Sequence, residues 1–167
     1  MDKIKIKDLE VFARHGVFPE ENFLGQKFVI SATLHTSTRK AGLTDELEYS
    51  IHYGEVSHLI KKIVEENTWK LLEKVAEELA RAILLEYPLA QQADIKIKKP
   101  WAPVGLPMDT VSVEISRRLV IVGYLDKRQQ HLVGSLGDAI DPGEIGWAGE
   151  DAAFLPETDD ASGLPAF

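Results

Sequence analysis

Residues 68–87 read TWKLLEKVAEELARAILLEY, and within them Trp69, Leu72, Val75, Ala76, Leu79, Ala80, Ile83 and Leu84 recur at helical spacing. That period predicts an amphipathic helix with one stripe turned toward a core. Thr68 suits the N-cap, because its hydroxyl can accept from an unpaired amide of the first turn, and Pro88 cannot continue the helix. Glu73 sits about 100° round from Leu72, at the border of the stripe. Its carboxylate either overlooks a cleft or is an ordinary solvated helix group paired with a neighbour such as Lys70, and helix statistics alone favour the second reading.

Working outward, Val56, Leu59, Ile60, Ile63 and Val64 give a second helical stripe just upstream, ending near Asn67. Two helices joined so closely are expected to lie antiparallel on one side of a sheet. The strands come from the flanks. Residues 3–14 open with Ile4 and Ile6 alternating against Lys3, Lys5 and Lys7, and residues 28–38 place Phe28, Ile30, Ala32 and Leu34 on one side. After the helices, residues 93–99 put Ala93, Ile95 and Ile97 inward, and residues 110–116 do the same with Val111, Val113 and Ile115. Lys99 shares the parity of the isoleucines, whereas Asp94, Lys96 and Lys98 point the other way. The order is β-β-α-α-β-β, an α+β arrangement.

Two connections stand out. Residues 14–26, RHGVFPEENFLGQ, are too long for a tight hairpin, and connections of that length often carry a site. Pro100, Pro103 and Pro107 stiffen the loop that follows Lys99.

Bulk properties bound the function. The chain has 167 residues, enough for one domain with a core and an appendage. It contains no cysteine, so disulfides and thiolate metal sites are excluded. The N-terminal residues alternate charged and apolar side chains and lack a signal-peptide hydrophobic region, and no run of 18 apolar residues occurs; the expected location is the cytoplasm. The net charge of −8 is uneven: residues 126–167 carry nine acidic side chains against Lys127 and Arg128, leaving the rest near neutrality. No basic stripe with interleaved aromatics is present, which argues against nucleic-acid binding. Leu119-Val120-Ile121-Val122 reads as a short strand; beyond it glycine and proline accumulate and no period survives, so most of that stretch is expected to be loosely structured.

Glu21, His52, Tyr53, Glu73 and Lys99 are polar groups from four separate segments at element ends or inward-facing positions. Carboxylates, a phenol and an ammonium of this kind suit proton transfer on a polar heterocycle. His15-Gly16, Glu21-Asn22 and Gly25-Gln26, then His52-Tyr53-Gly54-Glu55-Val56, then Leu71-Leu72-Glu73, then Lys99-Pro100 with Ala102-Pro103, together resemble the dihydroneopterin aldolase family over roughly residues 2–118.

The resemblance implies a tunnelling fold, a four-stranded antiparallel sheet with both helices on one face. It further implies subunits joined into ring tetramers or stacked octamers, with sites between neighbours. The implied reaction is metal-free retro-aldol cleavage of dihydroneopterin, with no cofactor, since the dihydropterin C=N bond takes up the electron pair. Lys99 is then the proton donor and acceptor, and Tyr53 relays the side-chain hydroxyl proton or orders a water. Glu73 grips the pterin amino group and ring N–H, helped by the Leu72 backbone. Glu21, like Tyr53 from a neighbouring surface, binds the hydroxyl end, and Ser50 touches the ring edge. His52 is read as a turn residue at the helix start. The domain is placed at residues 1–118 and an acidic extension at 119–167. Epimerisation of dihydroneopterin or its triphosphate, and non-catalytic pterin binding, are the competing functions.

Overall fold

The computed structural model describes residues 1–121 and 145–148. Strands β1 (Asp2–Ala13), β2 (Gln26–Thr36), β3 (Gln92–Lys99), β4 (Val111–Ile121) and β5 (Ile145–Ala148) form one antiparallel sheet in sequence order. Helices α3 (Tyr53–Glu66) and α4 (Leu72–Glu86) lie between β2 and β3 in the chain, α3 over β1 and α4 over β3 and β4. Two short helices, α1 (Pro19–Leu24) and α2 (Arg39–Thr44), occupy the longer connections. The expected β-β-α-α-β-β core, with both helices on one face, is present.

The apolar parities meet in that face. Phe28, Ile30, Ala32 and Leu34 of β2 are fully buried, as are Ala93 and Ile97 of β3, against Val56, Ile60 and Val64 of α3 and Val75, Ala76, Leu79, Ala80 and Ile83 of α4. Strand β1 keeps its apolar side inward by a device the alternation did not reveal. Its register slips between Ile6 and Leu9, where Asp8 takes φ 52°, so the inward set passes from Ile4 and Ile6 to Leu9, Val11 and Ala13.

Helix α4 begins at Leu72, three residues later than expected, and its N-cap is Leu71 rather than Thr68. The cause is a long-range bond pair: the Gly16 N–H donates to the Trp69 carbonyl (2.9 Å), and the Trp69 N–H donates to His15 Nδ1 (3.2 Å). Trp69 is thereby held outside the helix, with both of its peptide groups engaged. Residues 119–121, expected as a separate strand, instead prolong β4. Strand β5 pairs Ile145–Ala148 with Arg118–Ile121 in a stretch where no strand was expected; a four-residue strand is too short for alternation to register. The rest of that loose-structure expectation, at 122–144 and 149–167, lies outside the described residues.

Candidate active site

Strand parity decides which lysine turns inward. Along β3, Ala93, Ile95, Ile97 and Lys99 are buried, while Asp94, Lys96 and Lys98 are only half-buried on the opposite face. Lys98 donates to Asp8 at 2.7 Å there. Lys99 sits beneath the helices with its Nζ 6.0 Å from the Phe28 ring centroid and 2.5 Å from Glu21 Oε1, and both side chains of the pair are about nine-tenths buried (11% and 8% exposed). Charges so enclosed are held chiefly because each is the other's partner.

Glu21 is delivered by α1, which Pro19 starts from its first position. Its carboxylate accepts from the Phe18 N–H (3.2 Å) and from Gln26 Nε2 (2.9 Å), while Asn22 Nδ2 clamps the preceding loop by donating to the Arg14 and Gly16 carbonyls. Gly16 is required: φ is 155°, and a Cβ there would lie 2.4 Å from Glu21 Oε2. Burial raises the Glu21 pKa, but Lys99, the Phe18 amide and Gln26 outweigh it and hold the carboxyl below its ordinary value. Glu21 was expected from a neighbouring subunit. It meets Lys99 within the same chain, because the residue 14–26 connection folds back over the end of β3.

Glu21 and Lys99 line a cleft of about 290 Å³ together with Leu72 and Glu73 at the start of α4, Phe18, Leu71, Pro103, Val104 and Val111. Glu73 stands in the first turn of α4, where the helix dipole favours an anion, and among the described residues it forms no ion pair. Glu73 is exposed, as the solvated-group reading expects, but no neighbour pairs with it among the described residues. Four of the expected site residues, Glu21, Leu72, Glu73 and Lys99, thus share one cavity. Tyr53 and Ser50 do not line it; Tyr53, at the start of α3, is 66% exposed. His52 is the N-cap of α3, its Nδ1 accepting from the Glu55 N–H, which is the modest role expected of it.

A larger concavity, about 780 Å³, lies on the helix-free face of the sheet. Lys3, Lys5, Lys7, Lys96 and Lys98 line it with Asp8, Asp94 and Glu114, and none of the expected site residues reaches it. The smaller cleft is the candidate site, because it combines the buried Lys99–Glu21 pair with the Glu73 carboxylate and apolar walls.

Comparison with known proteins points to the same chemistry. The family model for dihydroneopterin aldolase matches residues 4–116. The dihydroneopterin aldolase of Bacillus subtilis (strain 168) is 41% identical over 118 residues, covering 71% of this chain and 98% of that protein. That of Streptomyces coelicolor is 34% identical over 120 residues, covering 72% and 100%. The solved structure of E. coli dihydroneopterin aldolase in complex with neopterin superposes with a TM-score of 0.65 at 29% identity, covering 70% of this chain and 98% of that one. The chain belongs to the dihydroneopterin aldolase family.

Some of the aldolase cleft escaped the sequence reading. Gln26 bonds the Glu21 carboxylate, and His15 is fully buried between Phe28 (ring centroids 5.3 Å) and Trp69 (5.4 Å). Both had been quoted as parts of motifs and given no role. Desolvation, and then the Lys99 charge, lower the His15 pKa to about 4, so its ring is neutral near pH 7. The available signal was the placement of a histidine and a glutamine on either side of Glu21 in the long connection.

Proposed function

We infer that the cleft takes dihydroneopterin and that the chain cleaves it by a retro-aldol reaction to 6-hydroxymethyl-dihydropterin and glycolaldehyde, as an aldehyde-lyase of folate biosynthesis. The observation that carries this reading is the buried Lys99–Glu21 pair facing the same cavity as the ion-pair-free carboxylate of Glu73. Glu73 can accept two parallel hydrogen bonds from the amino group and ring N–H of a pterin, with the Leu72 backbone beside it. The relative solved with neopterin supports a pterin ligand.

In this reading the side-chain hydroxyl loses its proton, and the carbon–carbon bond next to the ring-attached carbon breaks. Glycolaldehyde leaves as the electron pair passes into the dihydropterin C=N bond. Lys99 delivers a proton at the ring nitrogen and takes that proton back as the hydroxymethyl product forms, acting as general acid and base. The ring-attached carbon gains the proton given up by the hydroxyl and carried by Tyr53 or a water. Glu21 holds the hydroxyl end of the substrate and keeps the ammonium of Lys99 in place. Tyr53, with Ser50 nearby in sequence, is supplied by an adjoining copy and relays the hydroxyl proton. This assignment accounts for a phenol exposed at the start of α3 and absent from its own chain's cleft.

A homo-oligomer follows, a ring tetramer or two stacked rings, closing the edges that β1 and residues 111–117 of β4 leave unpaired among the described residues. We assign the catalytic domain to residues 1–118 and an extension to 119–167, in keeping with the family match over 4–116. Among the described residues no helix is long and apolar enough to cross a membrane, and we place the reaction in the cytoplasm. Incubation with dihydroneopterin and assay of glycolaldehyde tests the function: stoichiometric aldehyde is expected, and an epimer formed without aldehyde would reject cleavage.

A further inference from the structure

We propose that His15 is a positioning residue that sets the spacing between the two halves of the cleft. Those halves come from distant parts of the chain. One is the Glu21–Lys99 pair, carried by the residue 14–26 connection and the end of β3; the other is Leu72 and Glu73, carried by the first turn of α4. The residue 14–26 connection and the segment before α4 are tied together by two backbone-anchored hydrogen bonds, Trp69 N–H to His15 Nδ1 and Gly16 N–H to the Trp69 carbonyl. Gly16 lies directly against the Glu21 carboxylate, and Trp69 is three residues from Leu72. A change in this tie therefore alters the distance between the ammonium that moves protons and the carboxylate that grips the ring.

The aromatic stack gives the tie its stiffness. Trp69, His15 and Phe28 follow one another at 5.4 and 5.3 Å, and the Phe28 ring has the Lys99 ammonium 6.0 Å from its centroid. His15 is fully buried, and its Nε2 has no hydrogen-bond partner among the described residues. For packing alone a leucine of similar size fills such a place without an orphaned polar atom, whose burial is costly. What the imidazole supplies in return is an acceptor for the Trp69 amide. Accepting at Nδ1 fixes the neutral tautomer with its proton on Nε2.

The proposal rests on the aldolase reading of the cleft, and a pair of substitutions separates it from a general loss of stability. In His15→Asn the amide oxygen falls near the position of Nδ1 and still accepts from Trp69; in His15→Gln it falls one bond too far. Both variants of the full chain are compared with the unmodified protein for thermal unfolding, neopterin affinity by fluorescence titration, and kcat and KM with dihydroneopterin. With the fold retained, His15→Gln is expected to lose roughly 10- to 100-fold in kcat and to bind neopterin more weakly, while His15→Asn stays within about threefold in both. Equal behaviour of the two variants, whether both active or both impaired, overturns the proposal. Should the unmodified protein release no glycolaldehyde, the aldolase reading fails by itself, and the neopterin affinities of the two variants still decide the role of His15.

Discussion

Lys98 and Lys99 are adjacent residues with identical side chains, and the sheet gives them opposite lives. Lys98 lies on the helix-free face among Lys3, Lys5, Lys7 and Lys96, paired with a largely exposed Asp8 in a wide concavity. Lys99 lies on the helix-covered face, its charge enclosed with that of Glu21 in a cleft with apolar walls. An ion pair open to water contributes little, because solvent screens it and both side chains lose freedom in making it. An enclosed pair reports a committed arrangement, since removing either partner strands a charge. The period-two geometry of a strand is the whole difference between a solvent-open face and an enclosed ion pair at a cleft.

The largest expected effect is therefore a contrast between the two lysines. Lys99→Ala is expected to lower kcat by about 10²–10⁴-fold with neopterin affinity largely retained, while Lys98→Ala changes turnover by less than about twofold. Circular dichroism of both variants keeps misfolding from counting as lost chemistry. Comparable losses in the two would erase the distinction between the faces. On the binding side of the cleft, Glu73→Gln weakens neopterin binding by about 10- to 100-fold, because one amide cannot accept both hydrogen bonds that the carboxylate can. Unchanged affinity in a titration removes Glu73 from the site.

A third prediction uses the enclosed side of the comparison through pH. The folded His15 pKa, about 4, lies below the ordinary 6.5, so the unfolded chain binds this proton at a higher pH than the folded one does. The associated stability is fully present above pH 6.5 and is lost as the pH falls toward 4, an effect of at most about 3 kcal/mol. Denaturant unfolding at pH 7 and pH 4.5 measures it, and His15→Asn is expected to flatten the difference. Glu21 acts in the same sense at lower pH, because its carboxyl is also held below its ordinary value. The smallest effect concerns the chain beyond the family match: removing residues 126–167 leaves cooperative unfolding of the remainder intact, since residues 4–115 supply the core seen among the described residues. Loss of a cooperative transition would show that the extension belongs to the core.

The sheet, the two long helices and the inward aim of Lys99 were legible because each is a local periodicity, repeated over enough residues to dominate its neighbours. What escaped was set by partners far away in sequence. The helix start at Leu72 depends on His15 and Gly16, more than fifty residues upstream, taking both peptide groups of Trp69. The register slip at Asp8 is one residue long, and the six residues of α1 are too few for a helical stripe to show. Glu21 was identified through its motif, yet its partner came from a fold-back that no spacing encodes. Gln26 and His15 were visible only as letters in motifs until their bonds to Glu21 and Trp69 gave them work.

The most direct test of the account is a structure of the assembled protein with neopterin bound. The account predicts the pterin ring paired to the Glu73 carboxylate, Lys99 Nζ within hydrogen-bond reach of the ring nitrogen, and Tyr53 of an adjoining copy at the hydroxylated side chain. A ring seated on the helix-free face, or in the cleft but out of reach of both Glu73 and Lys99, would contradict it.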